Sequence, residues 1–319
     1  MSDVSFRIIV NGTDHAFMRE PGCNCGRCRI PHFRSNTSVS LAVINHTKTR
    51  DELAWHALID AGVGAINNLW DNFAEYGGEP RVDLILLTHW HPDHTLGLNH
   101  LSEGLRRSRR AQGLSAGAIP VWCRSETLAR LQQSHTYELG GSGLLTPYGI
   151  LPESAPPGVL LPPIKTGALG LDVSISIQPL TISHETAGEH STAGFIIKRE
   201  SGKRIALLWD LDKLNDAWVL GGGTSDALRA LQGVDVLFVD CNTWSTAGRG
   251  HITFQGLKQY VDVIRPAETV LIHLSGHEDG RGNPGFGWSN SEWEARARGA
   301  WQTGRGLVTV LNPGQIRTL

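Results

Sequence analysis

The stretch Thr88-His89-Trp90-His91-Pro92-Asp93-His94 places three imidazoles and a carboxylate directly after a mostly apolar run at residues 82–87. That run has the length and composition of a buried strand, so the polar residues fall on the turn that follows it. On such a turn His89 and His91 can face one side while Asp93 and His94 face the other. Neutral imidazole and carboxylate are ligands that zinc, manganese and iron accept. The stretch therefore predicts a site for two adjacent metals at the end of a strand.

Ligand-type residues also follow other predicted strands along the chain. Five further apolar or alternating runs predict strands, and helical spacing at residues 66–76 and 96–105 predicts helices between some of them. The residues at or just past the ends of these five strands are Asp60, His184, Asp210, Asp240 and His273. A layered α/β sheet gathers one site from distant parts of a sequence in this way, so we expect these side chains to converge.

Two of these positions have a second interpretation. Asp60 either orients the metal-site turn through hydrogen bonds or caps the helix that follows it. The strand before His184 is also followed by His190, six residues further along in a polar loop, so either histidine can be the ligand.

Three of the five cysteines lie close together, at Cys23, Cys25 and Cys28. Thiols at these spacings can face one tetrahedral ion, which would fix a loop that has few apolar anchors. An odd number of cysteines argues against a disulfide framework. The cluster predicts a zinc loop near residues 21–30 with a fourth ligand from elsewhere in the chain, and three unliganded thiols in a surface loop are the alternative.

The composition is that of an ordinary globular chain. With 319 residues and 40% hydrophobic content, it can bury a large core as one big domain or two modest ones. A net charge of -2 and a pI near 6.7 call for neither nucleic acid nor a membrane as a partner. The N-terminal residues lack the basic start and apolar run of a signal peptide, so we expect a cytoplasmic protein.

Residues 134–170 differ from the rest of the chain, because they are rich in glycine and proline and have little periodicity. A loop of this length inside a compact domain is usually functional or mobile. The strand pattern resumes directly after it, so we interpret it as a flap beside the substrate or as a contact in a homodimer.

These motifs resemble those of the metallo-β-lactamase superfamily, whose metal signature matches His89-x-His91-x-Asp93-His94 and then the single residues His184, Asp210 and His273. The resemblance extends over nearly the whole chain. It implies a single α/β domain over residues 1–319, folded as a four-layer αβ/βα sandwich. It also implies that Asp210 lies between one metal, bound by His89, His91 and His184, and another, bound by Asp93, His94 and His273.

Within the superfamily, the chain looks most like the PhnP-type phosphodiesterases of the carbon-phosphorus lyase pathway. Those enzymes carry a structural zinc on a Cys-x-Cys-x-x-Cys loop, completed by a histidine shortly after the last active-site histidine. His277 has that position here, one residue further along than the family spacing. The enzymes also have a histidine after the strand that ends at Asp240, and it protonates the leaving oxygen. His251 fits this role, and a histidine at a helix N-terminus is the alternative.

The resemblance implies a dinuclear metal-dependent hydrolase, a phosphodiesterase that uses metal-bound hydroxide on a small cyclic or nucleotide-like phosphodiester. Asp93 and His251 would be its catalytic residues, with Asp60 and Asp240 orienting the ligands. Its cofactors would be two divalent metals (zinc, manganese or iron) in the active site and one structural zinc. The alternatives are a carboxyl-ester, lactone or thioester hydrolase, a PqqB-like oxygen-using enzyme, and a metal-binding protein without turnover.

Two segments depart from the family pattern. The flap is longer than the usual loop, and the aromatic segment at residues 279–301 has no obvious counterpart. Both can reshape the pocket, so we expect them to influence substrate choice.

Overall fold

The computed structural model of the chain describes residues 3–16, 19–29, 34–77, 81–114, 119–139, 145–146, 164–165, 174–184, 192–199, 202–216, 225–246 and 250–318. Of the predicted flap, residues 134–139, 145–146 and 164–165 are among them. The rest of the flap prediction and His190 lie outside the described residues.

In the described ranges, the first sheet has seven strands in the order β14-β1-β2-β3-β4-β5-β6. They are β1 (Asp3–Gly12), β2 (Ser38–His46), β3 (Asp51–Ile59), β4 (Leu84–Leu86), β5 (Ile119–Trp122), β6 (Leu145–Thr146) and β14 (Ile316–Thr318). Strands β1, β2 and β3 pair antiparallel, whereas β3 to β6 run parallel. The register places Phe6 opposite Val43 and Ile8 opposite Leu41, so the apolar half of each alternating strand faces the same way.

The second sheet has the order β13-β12-β11-β10-β9-β8-β7 among the described residues. Its strands are β7 (Ile164–Lys165), β8 (Ser174–Ile182), β9 (Thr192–Arg199), β10 (Arg204–Leu208), β11 (Val236–Asp240), β12 (Glu268–Ile272) and β13 (Leu307–Val310). Strands β7 to β10 pair antiparallel, and β10 to β13 run parallel. The two sheets are therefore both mixed, each with a parallel half.

Helices connect the parallel strands and cover the outer faces of both sheets. They are α1 (Ala65–Phe73), α2 (Pro92–Thr95), α3 (Leu98–Ala111), α4 (Ser125–Ser134), α5 (Thr136–Leu139), α6 (Asp226–Leu231), α7 (Phe254–Ile264) and α8 (Asn290–Ala300). The sequence pattern did not predict α8, although Ser289 and Glu292 have the spacing of a capping box and form one in the structure. None of the described helices is long and apolar enough to cross a membrane.

Apolar clusters separate the four layers. The central cluster lies between the sheets and includes Phe6, Trp55, Phe195 and Trp209. A second packs α1 and α3 against the first sheet, and a third packs α6, α7 and α8 against the second sheet. This arrangement confirms the predicted α/β fold class of an αβ/βα sandwich.

The direction of the parallel strands places the functional residues. Neighbouring parallel strands have their carboxyl ends side by side. This holds for β3 and β4 in the first sheet and for β10, β11 and β12 in the second. Asp60, Cys241 and His273 directly follow β3, β11 and β12. Asp210 lies two positions past the end of β10, and His89 lies three positions past the end of β4. One edge of the sandwich therefore collects the polar side chains.

Candidate active site and metal centre

The first group of ligand-type atoms comes from three histidines. His89 follows β4, His91 precedes α2 and His184 follows β8. His91 Nδ1 lies 2.8 Å from His89 Nε2 and 3.3 Å from His184 Nε2. Burial lowers the pKa of all three rings, that of His91 to about 4. The rings are therefore neutral at pH 7, which is the form that binds a metal.

The second group consists of Asp93, His94 and His273. Asp93 Oδ2 lies 3.2 Å from His94 Nε2 and 3.5 Å from His273 Nε2. Asp93 and His94 are on the short helix α2, and His273 directly follows β12. All three are buried, so their polar atoms face one another rather than solvent.

Asp210 lies between the two groups. Its Oδ1 is 4.0 Å from His89 Nε2 and 3.6 Å from His184 Nε2, whereas its Oδ2 is 3.2 Å from His94 Nε2 and 3.6 Å from His273 Nε2. Each carboxylate oxygen thus faces a different group. The structure brings together all seven residues that were predicted to bind the active-site metals.

The backbone is held in an unusual conformation at two of these positions and at Asp60. Asp60, Asp210 and His273 have φ angles of 59°, 60° and 62°, in the left-handed region that side chains other than glycine rarely adopt. Such strain is kept where the surrounding structure requires it, and it is typical of functional sites. Each of the three follows the last residue of a strand or lies one position beyond it.

Buried polar atoms without partners test whether metals fit this site. His94 Nε2, His273 Nε2 and Asp210 Oδ2 are buried and have no hydrogen-bond partner among the described residues. Burial alone would lower the pKa of both histidines, but the surrounding carboxylates raise it, to about 10 for His273 and well above the usual value for His94. The cluster therefore attracts positive charge, and divalent cations would satisfy both the charge and the open atoms.

Asp60 fixes the orientation of the metal-site turn. Its Oδ2 accepts hydrogen bonds from His94 Nδ1 at 2.7 Å, Thr88 Oγ1 at 2.8 Å and Trp209 Nε1 at 2.7 Å. Because His94 donates from Nδ1, its Nε2 is the atom left for a metal. Asp60 does not cap α1, whose N-cap is Gly64. Of the two interpretations from the sequence, the structure has the orienting one.

Asp240 has a comparable position beside His251. Its Oδ2 accepts hydrogen bonds from His251 Nδ1 at 2.9 Å and from Leu211 N at 3.0 Å. Burial opposes protonation of His251, but the charge and hydrogen bond of Asp240 raise its pKa above the ordinary value. His251 is near the metal groups, with Nδ1 3.9 Å from Asp210 Oδ1, and it does not cap α7, since Thr253 does.

The cysteine cluster meets the histidine suggested by the family spacing. His277 Nε2 lies 3.7 Å from Cys23 Sγ and 3.4 Å from the Sγ atoms of both Cys25 and Cys28. Three thiols and one imidazole around a common centre are a donor set that zinc accepts in structural sites. The site lies outside the sandwich edge described above but shares the loop that carries His273.

A buried ionic cluster connects this loop to the active site. Arg27, between the cysteines, donates to Asp14 and, from Nη2, to Leu274 O at 2.6 Å. Arg34 also donates to Asp14, through Nε at 2.6 Å and through Nη2. Asp14 precedes His15 and Leu274 follows His273, so the cluster holds two loops of the active site.

The cleft over the metal groups has a volume of about 480 Å³. It is lined by His91, Asp93, His184, Asp210 and His251, together with other residues that the sequence pattern did not single out. Two of these are His15 and Glu278. His15 could have been found, because it follows β1 within three residues and thus repeats the strand-end pattern of the other ligands.

The aromatic segment lies elsewhere, contrary to the prediction that it reshapes the pocket. Trp288 and Trp293 pack against Trp244, with ring centroids 5.1 Å and 5.7 Å from it, in the cluster behind the second sheet. These tryptophans are not among the described residues that line the cleft. The reason is that α8 turns its apolar residues toward the sheet.

The sequence model of the β-lactamase superfamily domain matches residues 56–274, which is more than half of the chain. The chain belongs to the metallo-β-lactamase superfamily. This confirms the family predicted from the metal signature, and membership of the superfamily supports a hydrolase that binds divalent metal. No curated protein matches the chain.

Several solved structures share the fold over nearly the full length of the chain. A new diphosphatase from the PhnP family is 17% identical, with a TM-score of 0.62 and coverage of 100% of this chain and 98% of that one. Zn²⁺-bound PqqB from Methylobacterium extorquens is 16% identical, with a TM-score of 0.65 and coverage of 98% and 100%. Unliganded yeast PDE1 is 12% identical, with a TM-score of 0.60 and coverage of 98% and 99%. At these identities the likeness establishes the fold.

Proposed function

We propose that this member of the superfamily is a dinuclear metal-dependent phosphodiesterase that acts on a small cyclic or nucleotide-like phosphodiester. The observation that carries the proposal is the position of Asp210, whose two oxygens face different groups of ligand atoms. A carboxylate shared in this way suits two cations close enough to act on one phosphate. The cleft of about 480 Å³ suits a small substrate.

The two groups of side chains would hold one ion each. His89, His91 and His184 form the first group, and Asp93, His94 and His273 form the second. Zinc, manganese and iron all accept these ligands. When bound, the cations supply Lewis acidity, which makes a water molecule more acidic and offsets the negative charge that develops on the phosphate. Asp60 keeps His94 in the tautomer that leaves Nε2 for the metal.

His251 is the proposed acid for the leaving oxygen. Asp240 accepts the hydrogen bond from His251 Nδ1, so the opposite ring nitrogen remains for the substrate. A positioned imidazole can transfer a proton to the leaving alkoxide as the phosphorus–oxygen bond breaks. The residue lines the same cleft as His91 and Asp210, which is where a leaving group would lie.

A panel of substrates tests the proposed reaction. Bis-p-nitrophenyl phosphate, a lactone and a thioester are assayed with Mn²⁺ and with Zn²⁺ replenishment, and we expect hydrolysis of the phosphodiester. Asp210→Asn should abolish it and reduce the metal content of the active site, whereas Asp226→Asn, at an exposed position with the same change of charge, should do neither. A metal-replete protein without phosphodiesterase activity would refute the proposal. Hydrolysis of only the lactone or thioester would favour those reactions, and no turnover would favour a metal-binding protein.

A second comparison tests the acid. We expect His251→Ala to lower turnover of phosphodiesters with poor leaving groups far more than turnover of p-nitrophenyl esters, because p-nitrophenolate leaves without a proton. Equal losses on both kinds of substrate would remove the acid role from His251.

We also propose that Cys23, Cys25, Cys28 and His277 hold a structural zinc. The convergence of their ligand atoms supports this assignment. Elemental analysis of the purified protein should give three metals per chain, one of which resists chelation. A protein that loses all of its metal to a mild chelator at the same rate would contradict the separate structural site.

A further inference from the structure

His15 is held rigidly at the wall of the cleft. Its backbone N donates to Leu274 O at 3.1 Å, and its carbonyl oxygen accepts from Asn36 Nδ2 at 3.0 Å. Its ring contacts the rings of His251 and His273 edge to face, with centroids 4.9 Å apart in both cases. His15 therefore lies next to the proposed acid and cannot move far from it.

Glu278 extends this wall. Its Oε1 lies 3.5 Å from His15 Nδ1, and its backbone N donates to Ser275 Oγ at 3.1 Å. The Glu278 side chain is 33% exposed and lines the cleft, so a substrate can reach its carboxylate. His15 contacts both His251 and Glu278, so a leaving group that receives a proton from His251 can come near the Glu278 carboxylate.

The negative charge of the Glu278 carboxylate affects which substrates the cleft can bind. The residues that line the cleft include the carboxylates of Asp93, Asp210 and Glu278. Asp93 and Asp210 face the metal groups, whereas Glu278 faces His15. A second anionic group on the substrate would therefore meet a like charge, and a hydroxyl group would meet a hydrogen-bond acceptor.

We propose that Glu278, supported by His15, is a specificity residue that selects phosphodiesters whose leaving alcohol carries a hydroxyl group and rejects diphosphates and other substrates with a second phosphate. This inference rests on the proposed phosphodiesterase function and names the substrate class of the same site. It separates the chain from a diphosphatase, although it shares its fold with one. Glu278 accepts a hydrogen bond from the hydroxyl group and repels a second phosphate.

The kinetic test uses Glu278→Gln in the metal-loaded protein at pH 8, because burial raises the pKa of Glu278 above its ordinary value and the test needs the ionised carboxylate. We expect the ratio of kcat/KM for inorganic diphosphate to that for bis-p-nitrophenyl phosphate to rise roughly tenfold, as for one partly screened charge. Glu126→Gln, an exposed position on α4 with the same change of charge, should leave the ratio unchanged. A ratio that does not move in Glu278→Gln overturns the proposal, and so does an equal rise in both variants.

A binding measurement keeps this result separate from the fate of the proposed function. Calorimetry with inorganic diphosphate on the metal-loaded protein needs no turnover, and we expect roughly tenfold tighter binding to Glu278→Gln than to the wild type. Equal affinities would refute the role of Glu278 even in an inactive protein. Conversely, a wild type that hydrolyses no phosphodiester refutes the proposed function, while the difference in diphosphate affinity still decides the role of Glu278.

A separate assay tests the preference for a leaving alcohol that carries a hydroxyl group. The glycerol ester and the propyl ester of p-nitrophenyl phosphate differ in their hydroxyl groups, and the products show which ester bond is cleaved. Release of glycerol from the first, in excess of release of propanol from the second, is expected for the wild type and should be lost in Glu278→Gln. Equal release of the two alcohols by the wild type would overturn the preference.

Discussion

Replacement of Asp14 by asparagine removes the carboxylate that pairs with two buried guanidinium groups. The side chains of Asp14, Arg27 and Arg34 are 3%, 0% and 6% exposed. Burial lowers the pKa of Arg27 to about 10, with Asp14 opposing that effect, so Arg27 remains a cation at neutral pH. Asparagine keeps the shape of the side chain but leaves two cations without a counter-ion.

The expected loss of folding free energy follows from the hydrogen bonds that the two guanidinium groups would retain. Arg27 would retain Leu274 O at 2.6 Å and Trp288 O at 3.4 Å, and Arg34 would retain Arg27 O at 3.2 Å. These carbonyls supply hydrogen bonds but no net negative charge. Breaking a buried ion pair by removing one partner costs about 3–5 kcal/mol, and we expect Asp14→Asn to lie in that range.

Urea unfolding followed by tryptophan fluorescence measures the loss. Asp262→Asn is the matched control, because Asp262 pairs with Arg305 at 2.6 Å but is 50% exposed, and its loss should cost no more than about 1 kcal/mol. Asp14→Asn should also lower the metal content, since its neighbours His15 and Leu274 belong to the active-site loops. A free energy of unfolding within 1 kcal/mol of wild type for Asp14→Asn would refute the reasoning.

Three further predictions concern separate parts of the molecule. A Cβ at Gly62 would lie 1.8 Å from Asp93 O, so Gly62→Ala should displace the metal-site turn and lower the metal content. The control is Gly299→Ala on α8, whose Cβ would meet nothing within 4 Å and which should stabilise the protein by up to about 1 kcal/mol. Normal metal content in Gly62→Ala would contradict this prediction. Burial lowers the pKa of His56 from 6.5 to about 4, so the unfolded chain takes up a proton below pH 6.5 that the folded chain does not. The wild type should therefore lose about 3 kcal/mol relative to His56→Gln as the pH falls through this window in urea titrations, and parallel pH profiles would count against it. Cys25→Ser should lower the melting temperature and should reduce the zinc content by one ion per chain. An unchanged zinc content would exclude Cys25 as a ligand.

Local patterns determined much of what the sequence could predict. The spacing of His89, His91, Asp93 and His94 after an apolar run identified the metal-site turn, because a strand and the turn behind it are adjacent in the chain. The strand-end positions of Asp210 and His273 followed from the same periodicity, and the family resemblance suggested His277. The structure brings the active-site residues together and places His277 with the three cysteines, and the superfamily match confirms the fold class.

Only the tertiary structure decided which residues line the cleft around those ligands. The contact of His15 with His251, and the hydrogen bond from Trp209 to Asp60, join positions far apart in sequence. Glu278 follows a proposed zinc ligand, yet its side chain lines the active-site cleft. Such contacts depend on which strand edges meet when two sheets pack over a common core. The packing of the two sheets depends on the burial of many apolar side chains at once, so it cannot be read from the spacing of residues in any one segment.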